Sequence, residues 1–202
     1  MSFKKIFGVL VMAMVATTAF IGTSSALAES TQLCENDAET PAECKEPMEV
    51  HYVTPEGEPG VMETSVLTFK CDILYNAKVE LGLANPVILN VPSTGLVISN
   101  CTGNCTATTL AGAETKVLKE AVELASAIST GFEIEVKCAS FIKCVYGSEG
   151  LVAHMLGPLV TGDNGHVTYS KAAVKKVKGL LCPSSATMSM LLVSLHPVYI
   201  KS

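Results

Sequence analysis

The 202-residue chain contains no arginine and no tryptophan, and only 5% of it is aromatic. Without arginine it lacks the planar fork that grips phosphates and reads guanine edges. Fourteen lysines stand against 19 acids for a net charge of −5. A chain of that balance gains little from counterion release, so nucleic acid is set aside as a partner. There is no Cys-x-x-Cys, which removes a thioredoxin-type redox role. Beyond residue 28 no apolar run reaches the about 20 residues a spanning helix needs, so no membrane span is expected in the mature chain.

What is present begins with an address. Lys4 and Lys5 precede an apolar run from Ile6 to Ile21, and Ala26-Leu27-Ala28 closes it with small residues. Those three regions predict a secretory signal over 1–28, with cleavage near Glu29. The mature protein is expected to be secreted or at the cell surface. The next segment, 29–65, holds ten acids and one lysine, 1 − 10 = −9, with Pro41, Pro47, Pro55 and Pro59 spread through it. Its composition predicts an extended acidic arm. Residues 66–202 hold eleven lysines and nine acids, 11 − 9 = +2, and are expected to form the folded domain.

All eight cysteines follow the cleavage point. In an oxidising compartment they read as disulfides, with 105 possible connectivities. Spacing points to Cys101–Cys105, Cys138–Cys144 and Cys34–Cys44, which leaves Cys71–Cys182 as a long bridge. On chain-entropy grounds that long loop would contribute about 5 kcal/mol and the shortest about 2 kcal/mol.

From about Val61 the pattern is one of short β segments divided by Gly, Pro, Asn and Asp. Ile73, Tyr75, Ala77, Val79 and Leu81 alternate with Leu74, Asn76, Lys78 and Glu80, and Phe132, Ile134, Val136 and Cys138 alternate with Glu133, Glu135 and Lys137. Further strands are expected at 66–70, 87–91, 96–99, 105–109, 151–156, 166–170, 172–178 and 186–195, about ten in all. Gly162-Asp163-Asn164-Gly165 has hairpin-turn chemistry. In 114–129, Leu118, Ala121, Val122, Ala125 and Ile128 share a helical face among good helix formers, with Gly131 after them, which predicts one helix. A strand is the rival there, since Leu118, Val122 and Leu124 share a parity. The expected fold class is all-β, an antiparallel sandwich or barrel with one short helix around 114–129.

Cys101-Thr-Gly-Asn-Cys105, Lys143-Cys144-Val-Tyr146-Gly147 and Leu181-Cys182-Pro-Ser-Ser-Ala186 together resemble a loose group of exported, disulfide-bearing β proteins from actinobacteria. The resemblance covers roughly 66–200. It implies an exported β domain and carries no catalytic residues across.

His51, His154, His166 and His196 are isolated, without the i,i+2 or i,i+4 spacing that puts two imidazoles on one metal. Ser184 or Ser185 with a histidine base and Asp72 or Asp163 would make a triad, yet no local motif supports it, and Gly147-Ser148-Glu149-Gly150 lacks the nucleophile-elbow spacing. Glu133 and Glu135 sit two apart on one strand, about 7 Å at the backbone, within range of a glycosidase pair but equally the solvated face of a strand. Asp163-Asn164-Gly165 is too short for a calcium loop. Lys171, Lys175, Lys176 and Lys178 form a basic cluster, read either as the guarded face of an edge strand or as a holder for an anionic cell-envelope polymer or the acidic arm. No catalytic, metal or cofactor residue is therefore expected. The leading expectation is a non-catalytic extracytoplasmic binding or structural module, partnered by a cell-envelope polymer or another protein. The alternatives are a secreted hydrolase with a site assembled from distant residues, and an inhibitor or effector presenting the 138–144 loop.

Overall fold

Alternating apolar residues cannot stay exposed, and in this chain they turn inward around a common axis. The structure, a computed structural model, describes residues 30–139, 142–159 and 163–202. The expected export signal, residues 140–141 of the 138–144 loop and Gly162 of the expected turn lie outside the described residues. Among the described residues fifteen strands form, rather than about ten. They are β1 (Gln32–Cys34), β2 (Glu49–Val53), β3 (Gly60–Thr64), β4 (Thr68–Val79), β5 (Val87–Val91), β6 (Leu96–Ser99), β7 (Cys105–Ala111) and β8 (Ala113–Ala121). There follow β9 (Leu124–Thr130), β10 (Glu133–Cys138), β11 (Ile142–Gly147), β12 (Leu151–Leu156), β13 (His166–Lys178), β14 (Ser185–Ser194) and β15 (Tyr199–Lys201).

Eight of these close an antiparallel barrel in the order β2, β4, β5, β8, β9, β12, β13, β14 and back to β2. Val50, Tyr52, Val87, Leu89, Thr115, Val117, Ala125, Ala127, Ala153, Met155, Val167 and Tyr169 are its buried positions, while Lys78, Asn90, Glu114, Lys116 and His154 alternate outward. That is the reverse of a barrel lying in lipid, which turns its apolar face out. The long strands β4, β13 and β14 continue past the barrel into a second curled sheet, ordered β6, β4, β3, β14, β13, β11, β10, β7. Its two outer strands meet where the Thr109 hydroxyl donates to the Leu96 carbonyl at 2.6 Å. Where β7 passes into β8, a Cβ on Gly112 would lie 2.1 Å from the Val91 carbonyl oxygen, so only glycine fits there.

Three expectations are corrected. The helix over 114–129 is instead the β8–β9 hairpin. Of its presumed apolar face only Ala125 is buried, while Val122 is 82% exposed at the turn; the inward set is Thr115, Val117, Ala125, Ala127 and Ser129. Helix propensity is a weak preference, and pairing on both sides of the hairpin overrides it. The acidic segment is not an arm. β2 hydrogen-bonds to both β4 and β14, and β3 does the same further along, so together they fill the gap between those two strands. Third, only Cys34–Cys44 pairs as expected; the other bridges are Cys71–Cys101, Cys105–Cys138 and Cys144–Cys182. Register decides this: Cys105 and Cys138 are direct partners of β7 and β10. The 138–144 loop therefore has no bridge of its own.

The barrel's other end is closed by the β1–β15 ribbon, whose Leu33 and Ile200 join the core. Glu123, buried at the β8–β9 turn, fastens it: one carboxylate oxygen accepts from the Ile200 N–H at 2.7 Å and the other meets Lys201 Nζ at 2.7 Å. A Cβ on Gly157 would lie 2.0 Å from that carboxylate. Partial burial would lower the Lys201 ammonium, but the Asp37 and Glu123 carboxylates outweigh it and hold its pKa above the ordinary lysine value.

Two outcomes follow. Residues 66–202 expressed alone should show no cooperative urea transition, because β4 and β14 would be left with unpaired edges; a two-state transition for that fragment would restore the arm. Glu123→Ala should cost about 2–4 kcal/mol in urea denaturation, since it leaves the Ile200 N–H and much of the Lys201 charge uncompensated.

Candidate functional site

Inside the barrel four hydroxyls bond in a chain, while the buried Tyr52 hydroxyl has no hydrogen-bond partner among the described residues. Tyr75 donates its hydroxyl to Thr115 Oγ1 at 3.2 Å, Thr115 and Ser129 share a hydrogen bond of 2.7 Å, and Ser129 lies 3.4 Å from the Tyr169 hydroxyl. Burial pushes the Tyr52, Tyr75 and Tyr169 phenols well above their ordinary value of 10, helped for Tyr52 and Tyr75 by the neighbouring Tyr169. The cavity beside them is about 40 Å³, lined by Ile73, Leu96, Ile98, Phe132, Met188 and Met190 among others. Ligand pockets usually run to several hundred cubic ångströms, so this space suits packing rather than a substrate.

The residues singled out for chemistry are scattered. His51 Nδ1 bonds Asn76 Oδ1 at 2.7 Å and its Nε2 lies 3.8 Å from Glu49. His154 points outward from β12 and His196 is exposed after β14, while His166 opens β13 half-buried. Ser185 starts β14 and is exposed with Ser184 beside it. Asp72 accepts from Asn100 Nδ2 at 2.8 Å, and Asp163 accepts from the Gly165 N–H at 2.9 Å, as a turn-capping carboxylate does. None of the four imidazoles bonds a serine hydroxyl among the described residues. Glu135 is gripped by Lys137 at 2.7 Å and Lys143 at 2.8 Å, and those two hydrogen-bonded ammoniums hold its carboxyl below the usual range. It is therefore a carboxylate at neutral pH and holds no proton to donate to a leaving group. Among the described residues no three of His, Cys, Asp and Glu gather as a metal site.

The basic cluster is corrected too. β13 is no edge strand, for β14 lies on one side and β11 and β12 on the other. Nor do its lysines hold the acidic segment: Glu35 pairs with Lys45, Asp37 with Lys201, and Glu46 accepts from Gln32 Nε2 and the Gly82 N–H. No ion pair joins Lys171, Lys175, Lys176 or Lys178 to that segment among the described residues.

What the structure does bring together is a rim. The Cys71–Cys101, Cys105–Cys138 and Cys144–Cys182 bridges all lie on the second sheet, toward the end where β10 runs into β11 and β13 into β14. From it projects the loop between β13 and β14, whose Leu180 is 88% and Leu181 85% exposed. The loop is held at its base. The Lys176 N–H donates to the Ser184 carbonyl at 2.9 Å, Lys176 Nζ to the Cys182 carbonyl at 3.2 Å, and the Tyr146 hydroxyl to the Pro183 carbonyl at 3.4 Å. Sequence reading passed over this feature, although Gly179-Leu180-Leu181 ahead of Cys182-Pro183 is a visible apolar pair in a turn.

No family model, no curated protein and no solved structure matches this chain.

The tyrosines give a pH test. Their folded pKa values lie above the unfolded ones, so the stability they contribute is complete below about pH 10 and is lost above it, as the unfolded chain sheds protons that the fold retains. In an alkaline titration at the phenolate band, Tyr52, Tyr75 and Tyr169 should ionise only together with the loss of near-ultraviolet dichroism. Ionisation of all five tyrosines before unfolding would show the interior open to solvent.

Proposed function

We propose that this is an exported, non-catalytic module of the secreted or cell-surface kind, in which a disulfide-framed barrel presents one rim to a partner. The observation that carries the reading is that all eight cysteines are bridged and none is free, which supports an oxidising address. The leader-like pattern over 1–28 supports the same address from the sequence. Against catalysis stand the dispersal of the histidines and the engagement of the Tyr75, Thr115, Ser129 and Tyr169 hydroxyls with one another. Membership of the actinobacterial group of exported β proteins is part of this proposal.

The full chain expressed in a bacterium should be recovered outside the cytoplasm with a new N-terminus near Glu29. Peptide mapping without reduction should find Cys71 with Cys101, Cys105 with Cys138 and Cys144 with Cys182. Retention in the cytoplasm with free thiols would end the reading. So would turnover of a wall polymer or peptide that one point substitution abolishes.

A further inference from the structure

Two adjacent leucines at the apex of a loop are a costly thing to show to water, and this loop cannot turn them away. Cys182, next to Leu181, is bonded to Cys144 of β11. A Cβ on Gly179 would lie 2.5 Å from both the Lys143 carbonyl oxygen and Cys182 Sγ, so the loop's start is pressed on β11. Leu181 itself sits at φ +62, a left-handed conformation that a leucine adopts only where its surroundings hold it. Val177, at the loop's entry, is 56% exposed as well. The apex is thus a fixed apolar point.

Its surroundings are positive. No acid occurs anywhere in residues 164–202, which carry Lys171, Lys175, Lys176, Lys178 and Lys201. Lys176 and Lys178 are within a few residues of the apex, and the backbone of Lys143 touches the loop through Cys182 Sγ. On the β10–β11 face Glu135 is shared between Lys137 and Lys143, leaving that trio with a net positive charge.

We propose that this tip docks on an anionic lipid bilayer, with Leu180 and Leu181 entering the interface while Lys176, Lys178 and Lys143 lie against the headgroups. An apolar point with lysines beside it is the arrangement that an interface with an apolar interior and an anionic surface rewards. A soluble polyanion such as a wall polymer offers the lysines a partner but the leucines none, so the exposed pair favours lipid. Docking is peripheral, because the barrel wall turns its charged positions outward. The proposal rests on the reading of the protein as an exported binding module and names the partner of its rim.

The test uses the mature, oxidised chain with vesicles of mixed phosphatidylglycerol and phosphatidylcholine, and with phosphatidylcholine alone. Sedimentation should show binding to the anionic vesicles that weakens with salt. Leu180→Ser with Leu181→Ser should reduce it at least about tenfold, and Lys178→Gln about fivefold at low salt. Because the chain has no tryptophan, Leu181→Trp supplies a single reporter; its emission should shift to the blue on anionic vesicles only. The side chains replaced are exposed, so far-ultraviolet dichroism should not change. Absence of binding by the parent chain, or an unshifted reporter, overturns the proposal. Undiminished binding by the double serine variant overturns it as well and assigns the lysines to a soluble polyanion. If vesicles are ignored by a chain that is still exported with its four bridges, only the lipid partner falls and the module remains.

Discussion

The architecture depends on one closure. β4 and β14 form no ladder with each other; they are joined by β2 at one level and β3 at the next, both antiparallel to each neighbour. Between them, residues 54–59 form a protruding excursion: Val53 faces Leu74 and Gly60 faces Cys71, so seven steps on one side answer three on the other. The two strands are one interrupted strand. Remove it and both sheet edges open, with Tyr52 gone from the barrel interior and Met62 from the second sheet. Only two acids of this segment, Glu49 and Glu63, lie in β2 and β3, and both are exposed, while Val50, Tyr52 and Met62 are buried.

Closure also fixes what fills the interior. Three tyrosines enter one barrel, and a ring of eight strands leaves just enough room for side chains. Ala125, Ala127 and Ala153 are buried in the same ring, and Ala127 lines the space that Tyr52, Tyr75 and Tyr169 share. The same alternation of large and small reaches the polar atoms, because Thr115 and Ser129 are short enough to sit between Tyr75 and Tyr169 and pair with both. Leaving those hydroxyls unpaired would cost about 1–3 kcal/mol apiece. The small inward residues of β8 and β9 are therefore a consequence of the tyrosines. They also explain why this hairpin reads as a helix in isolation: alanine is the residue that both needs favour.

Much of the fold was legible. The strands at 87–91, 96–99 and 151–156 fall where alternation and turn residues place them. The all-β class followed from the same signal. The failures have a common cause, which is that composition and sequence distance were allowed to outweigh register. Glu49-Val50-His51-Tyr52-Val53 alternates as plainly as any strand, but its setting among prolines and acids hid it. Cys101 and Cys105 are near in sequence, yet the turn between them carries the chain from β6 to β7, and each cysteine faces a different neighbour. Lys175 and Lys178 look like guards of an edge until β11 is seen to cover it. Of the rim, the cysteines were legible and their assembly was not, because pairing across a sheet is a property of the closed ring. The apolar apex was legible as letters, but its exposure depends on a bridge no spacing rule supplies.

The placement of the bridges fits that exposure. The closed barrel needs little help, since every one of its eight strands is paired on both sides. The second sheet is less complete: β6 and β7 meet through side chain and contact rather than a ladder, so that end would otherwise fray. Three bridges lie there, each closing a loop of 30 to 38 residues. Loops of that size contribute about 3–4 kcal/mol each on chain-entropy grounds. A frame of that strength permits a feature that a frayed edge would not keep, namely Leu180 and Leu181 held out from the body on a left-handed turn. Without the Cys144–Cys182 bridge the loop's apolar pair would be free to fold back over the rim and cover itself. The bridges and the exposed leucines are thus two halves of one arrangement, in which covalent restraint keeps apolar surface available for something other than the protein's own core.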